Sequence, residues 1–209
     1  GASLGLASPA SALVPNDTVG AGGGVDVDNE WAGVSQMWNR RLNANGSVSS
    51  FVCTAQLINP RTVVLAQHCT AGVTDERYTP GEGSHMGFSF NPLDSLTGFD
   101  LWRRNYVPGG PIQNPFTGTW RSNAAIGFYN ALQVNSVFNV TEPFPGGDIM
   151  TATLDIPAIG LPTYGMLFSP LSGPTHAAVV GHGATGDGTN GPFLGLDFKR
   201  RAGENMIDG

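Results

Sequence analysis

Positive charge is scarce in this sequence: ten of its 209 residues are Lys or Arg, against 16 Asp or Glu, and Lys199 is the single lysine. At a formal charge of −6 it has no basic surface to hold a phosphate backbone, which argues against nucleic acid as a partner. No apolar run reaches the roughly 18 to 20 residues that a membrane helix needs, so no membrane insertion is expected within this segment. Cysteine is nearly absent too. The two present, Cys53 and Cys69, make no Cys-x-x-Cys and stand at no Cys/His ligand spacing. A structural disulfide is therefore favoured over a metal site, and a lasting disulfide implies an oxidising compartment. Charged residues make up 12% of the chain and apolar ones 40%, enough to bury one large β domain or two small ones and to set disorder aside. The 30 glycines and 15 prolines follow no repeat; they separate many short elements, which favours an all-β protein.

The first residues, Gly1 to Ala12, are small and apolar and close on Ala10-Ser11-Ala12, the small-x-small pattern of a signal-peptidase site. We expect residues 1–12 to be the remnant of a signal peptide and 13–30 a flexible segment; an alanine-rich leader with no targeting role is the alternative. The chain does not begin with Met, so part of the precursor is expected to lie upstream.

Further on, Val34 to Arg40 partly alternates apolar and polar residues, Asn43 to Gly46 is turn-like, and Ser49 to Ile58 is strand-like. Asn59-Pro60-Arg61 signals a second turn, and Thr62 to Ala66 is β-branched and apolar. Three strands joined by two turns make a meander, whose natural partner is more antiparallel sheet. The third strand runs into Gln67-His68-Cys69, and a titratable side chain at the end of a buried strand is presented at a rim where loops carry function. Cys53 lies in the second strand and Cys69 just after the third, so pairing them would close a loop of roughly 15 residues and contribute about 3 kcal/mol. On these facts alone, an ordinary structural disulfide with a bystander histidine is the favoured reading.

The run from Cys53 to Cys69, CTAQLINPRTVVLAQHC, resembles the segment around the catalytic histidine of trypsin-like (chymotrypsin-fold) serine proteases, above all the bacterial secreted and autotransporter-associated ones. Gln67 departs from it, standing where the family has a small alanine. Gly146-Gly147-Asp148-Ile149-Met150-Thr151-Ala152-Thr153-Leu154 resembles the family's aspartate motif, and Ala177 to Gly183 its strand ending Gly-aromatic-Gly, with His182 in the aromatic slot. The resemblance implies an all-β, chymotrypsin-like double β-barrel with the first barrel near complete and the second barrel partial. It places the first barrel at 31–165, with a long insertion at about 70–145, and the start of the second at 166–209. It also implies a catalytic pair, His68 as general base and Asp148 as its orienting acid, a disulfide between Cys53 and Cys69, and a polypeptide substrate. A secreted, periplasmic or bacterial cell-surface location follows, with a C-terminal autotransporter module as a candidate partner in the full-length protein.

One part of that machinery has no counterpart. In the family's triad order the serine follows the aspartate by roughly ninety residues, whereas 61 residues follow Asp148 here and no Gly-Asp-Ser-Gly-Gly occurs. Ser169 and Ser172 lack the glycines that build an oxyanion hole. We therefore expect a fragment without its nucleophile, inactive by itself, and assign no catalytic serine. Cleavage near Lys199-Arg200-Arg201, leaving the serine on another chain, is an alternative; the triplet itself reads as a solvated surface stretch. The family's activation start, a hydrophobic dipeptide before two glycines, is not evident, since Gly22-Gly23-Gly24-Val25 runs in the reverse order.

No cofactor or metal is expected. His176 and His182 match no ligand spacing and read as structural or surface groups, and His85 reads as a loop residue. The aromatics of the insertion, among them Phe88, Phe90, Phe128 and Tyr129, are expected to pack it onto the first barrel. Asn45-Gly46-Ser47 and Asn139-Val140-Thr141 match glycosylation sequons. Two other readings remain open: a catalytically inactive protease-like binding domain, and a β-sandwich adhesion module in which His68 and Asp148 would lie far apart.

Overall fold

The computed structural model describes residues 20, 22–42, 48–70, 84–93, 124, 127–136, 148–187 and 189–208. The proposed signal remnant at 1–12, both sequons, and Phe99, Trp102, Tyr106, Phe116 and Trp120 of the expected insertion lie outside them. All described regular structure is β apart from single 3-10 turns. Strands β1 (Val34–Leu42), β2 (Val48–Asn59) and β3 (Thr62–Leu65) form the expected meander. They are followed by β4 (Ser84–Ser89), β5 (Phe128–Ser136) and β6 (Met150–Leu154).

These six close into an antiparallel barrel in the order β1-β2-β3-β6-β5-β4. Period-two alternation explains why they do. In β6, Met150, Ala152 and Leu154 are buried while Thr151 and Thr153 are half-buried, and in β3 Val63 and Leu65 point inward between Thr62 and Val64. Together with Met37, Ala55, Leu57, Met86, Phe88, Phe90, Tyr129, Ala131 and Val134 these side chains fill one continuous core. Closure leaves the sheet without a free edge.

The stretch expected as an insertion is corrected by this topology. It supplies β4 and β5, two staves of the barrel wall, so Phe88, Phe90 and Tyr129 belong to the core itself rather than clamping an appendage onto it. His85 accordingly sits in β4 opposite Arg40, not in a loop. The pattern was hard to see because β4 is short and carries Gly87 within it, and glycine weakens a strand signal.

Beyond the barrel, β7 (Thr175–Gly181) pairs with β10 (Arg201–Ile207), and β8 (Ala184–Asp187) with β9 (Gly191–Leu196), as two two-stranded sheets. A closed barrel followed by these sheets is consistent with a partial chymotrypsin-like double barrel. The connecting stretch, residues 155–174, is strapped across the first barrel: Tyr164 N–H donates to Leu57 O at 2.9 Å and Ala158 N–H to Pro60 O at 2.7 Å. It passes so close to β1 that a Cβ on Gly33 would lie 2.2 Å from Pro162 O, which leaves glycine as the residue that fits.

Arg200 and Arg201, expected on a solvated surface, are buried instead, at 0% and 5% exposure. Arg200 donates to Asp26 Oδ2 at 2.8 Å, to Val34 O at 2.8 Å, to Phe90 O at 3.3 Å and to Asn29 Oδ1. One guanidinium thus joins β1, the end of β4 and the segment before the barrel. That segment is in turn held by Asp26 N–H to Arg200 O and Ala202 N–H to Gly24 O. Arg201 makes a two-pronged ion pair with Asp197, at 2.8 and 2.6 Å. No residue near Arg200 in sequence announces its partner 174 positions away.

Burial raises the Asp26 carboxyl pKa, and this is outweighed by the Arg200 hydrogen bond and the N–H groups of Trp31 and Glu30, so the net shift is downward. Removing one partner of such a pair leaves an uncompensated buried charge. Asp26→Asn is therefore expected to destabilise the protein by about 3–5 kcal/mol, read as a lower urea midpoint at unchanged slope; a loss under about 1 kcal/mol would show that the pair behaves as a surface salt bridge.

Candidate active site

β3 stops at Leu65 because the chain turns through one 3-10 turn, Gln67–Thr70, closed by Cys69 N–H donating to Ala66 O at 3.2 Å. Its neighbour β6 runs antiparallel with Met150 opposite Leu65. Residues just after Leu65 and just before Met150 therefore emerge at the same rim, and Gln67 N–H reaches Asp148 O at 3.4 Å. His68 and Asp148, 80 positions apart, are thereby brought into contact.

The Asp148 carboxylate holds His68 at two points. Oδ1 accepts the backbone N–H of His68 at 2.7 Å, and Oδ2 lies 2.5 Å from its ring Nδ1. A carboxylate can only accept, so this contact selects the ring form in which Nδ1 carries the hydrogen and Nε2 the lone pair. The Asp148 side chain is 11% exposed and that of His68 51%. The acid is thus sheltered from competing water while the imidazole reaches solvent. This contact is the opposite of what the β-sandwich alternative requires, and the closed barrel does not match that architecture either.

Cys53 and Cys69 form a disulfide, with Cα atoms 6.0 Å apart. It ties the turn that carries His68 to β2, and at a separation of 16 residues such a bridge contributes about 3 kcal/mol in the chain-entropy treatment. Cys69 Sγ lies 3.7 Å from His68 Nε2. Cys53, His68 and Cys69 are the one metal-compatible grouping of His, Cys, Asp and Glu among the described residues; with the sulfurs bonded to each other, neither is a thiolate ligand.

The residue after Cys53 does a second job. Thr54 Oγ1 accepts the His182 N–H at 2.9 Å and donates to His182 O at 3.2 Å, so the end of β7 is pinned beside the disulfide. Sequence reasoning missed Thr54, whose only signal was its place next to a cysteine. His182 itself is buried, 4% exposed, a structural group as one of its two expected roles had it. His176 is exposed and pairs across β7 and β10 with Glu204 at 3.3 Å, so the two histidines do not form a site.

No protein-family model matches this chain, and no curated protein does. A solved structure titled "Structure of GrC" is similar, with a TM-score of 0.45 and 11% identity over 90% of this chain and 65% of that one. The chain thus spans about 65% of the length of that structure.

Burial, and after it the Arg200 charge, pushes the His182 pKa from 6.5 down to about 3. The unfolded chain then takes up this proton first, so stability falls as the pH drops below about 6.5 and stops falling near 3. His182→Phe, which keeps a ring in the slot, is expected to flatten the stability profile between pH 6.5 and 4 by up to about 1.4 kcal/mol per pH unit. Thermal melts across that range check it, and an unchanged slope would contradict the buried neutral imidazole.

Proposed function

We propose that this chain is the histidine- and aspartate-bearing part of a serine endopeptidase. The observation that carries the reading is the double grip of Asp148 on the backbone N–H and Nδ1 of a half-exposed His68. In that role Asp148 fixes the tautomer and stabilises the imidazolium, and His68 Nε2 takes the proton of a serine hydroxyl as it attacks the peptide carbonyl. The same nitrogen returns the proton to the leaving amine, forming an acyl-enzyme that water hydrolyses with His68 again as base.

The nucleophile, the oxyanion hole and the specificity pocket belong, on this reading, to polypeptide beyond the 209 residues, since none of the serines here has the glycine context to serve. The disulfide fits an oxidising location, and no helix of the described residues is long and apolar enough to cross a membrane. A secreted, periplasmic or cell-surface bacterial enzyme, with polypeptide substrates and an autotransporter module as candidate partner, remains part of the proposal.

The test is the chain produced with whatever its gene encodes after residue 209, assayed on casein. Asp148→Asn is expected to lower kcat by about 10⁴ and His68→Ala by about 10⁶, each with little change in far-UV circular dichroism. Hydrolysis indifferent to His68→Ala overturns the proposal, and a longer chain that binds peptides without cleaving them supports the inactive binding-domain alternative instead.

A further inference from the structure

The Cys53–Cys69 disulfide lies against the His68 ring, with Cys69 Sγ 3.7 Å from Nε2. One ligand atom from each of Cys53, His68 and Cys69 lies within 4.8 Å of the other two. We propose that, once the Cys53–Cys69 bond is reduced, the two thiolates and His68 Nε2 bind a thiophilic divalent cation such as Zn2+. Such a site is independent of any proteolytic activity of the chain.

In tetrahedral zinc sites, with Zn–S about 2.3 Å and Zn–N about 2.0–2.1 Å, neighbouring ligand atoms are roughly 3.5–3.8 Å apart. Cys69 Sγ and His68 Nε2 already stand at 3.7 Å. Opening the bridge takes the two sulfurs from bonding distance toward that same spacing, with all three ligand atoms starting within 4.8 Å of one another. Both cysteines also have backbone anchors besides the bridge: Cys53 lies in β2, paired with Met37 of β1, and Cys69 N–H donates to Ala66 O.

Asp148 on Nδ1 completes the arrangement. Metal-bound histidines characteristically donate their other ring N–H to a carboxylate, which orients the ring and raises its basicity, and that contact is already made here. Half the His68 side chain is open to solvent, leaving room for water in the fourth position. A donor set of two sulfurs and one imidazole suits zinc and excludes calcium or magnesium, which take oxygen ligands.

The chemistry balances with a dithiol reductant. It supplies two electrons and two protons, becomes a disulfide itself, and leaves two cysteine thiols; the cation then displaces one proton from each. A cation on Nε2 would also occupy the nitrogen that the protease reading uses as a base, so reduction plus metal would silence that activity.

The test uses the 209-residue chain, a phosphine reductant, which adds no thiolate and is oxidised to its oxide with oxygen from water, and Co2+ as the spectroscopic probe. The reduced protein is expected to develop sulfur-to-cobalt charge-transfer and visible d–d bands that saturate at one ion per chain and bleach with Zn2+. The oxidised protein and the Cys53→Ser/Cys69→Ser double variant should show neither. His68→Ala keeps both thiols and is expected to weaken binding at least as much as the roughly 10- to 100-fold that loss of an outer-shell partner costs. Three results overturn the proposal: no bands in the reduced, folded chain, equal affinity in His68→Ala, or circular dichroism showing that reduction alone unfolds the barrel.

Discussion

Antiparallel pairing of β3 with β6, Leu65 opposite Met150, is the constraint on which the candidate site rests. A chain leaving the end of one strand and a chain about to enter the other occupy the same rim, so His68 and Asp148 meet without any contact of their own having to draw them together. The pairing is itself imposed by packing. Val63 and Leu65 on β3 and Met150, Ala152 and Leu154 on β6 all face the core, and a slip of one residue would turn those side chains outward. Hydrophobic register thus sets the geometry of a polar pair at the barrel rim.

Three further ties keep that rim in place. The disulfide anchors the histidine turn to β2, Thr54 anchors the end of β7 next to the disulfide, and Arg200 gathers β1, the end of β4 and the segment before the barrel around one buried charge. The last is the most demanding energetically. A buried guanidinium is tolerable only while its donors are satisfied, and here a carboxylate, two backbone carbonyls and an amide oxygen accept from it. The segment carrying Asp26, expected to be flexible, is accordingly fixed over its later residues.

What could be read from the sequence was local. The meander of β1 to β3 followed from alternation and turn residues, and the rim position of His68 from its place after a buried strand. The strand opening after Asp148 was visible in Met150-Thr151-Ala152-Thr153-Leu154, whose apolar and hydroxyl residues alternate cleanly. β4 and β5 were not legible, because they lie far apart in a long stretch rich in glycine and aromatics and acquire meaning only when the barrel closes. Arg200 was read as solvated for a related reason: a basic triplet is usually a surface feature, and the acid that neutralises it is near the opposite end of the chain. Thr54 left almost no trace, since a threonine in a strand needs no explanation until its hydroxyl is found bridging another strand's backbone.

The central claim is that Asp148 holds the His68 ring with the proton on Nδ1, and the tautomer is directly measurable. Long-range proton–nitrogen NMR of the 209-residue chain, with the imidazole neutral, distinguishes the two ring nitrogens. The account predicts an Nδ1–H tautomer for His68 in the parent chain and a mixed or Nε2–H form in Asp148→Ala. A dominant Nε2–H form in the parent, or the same tautomer with and without the carboxylate, would contradict it.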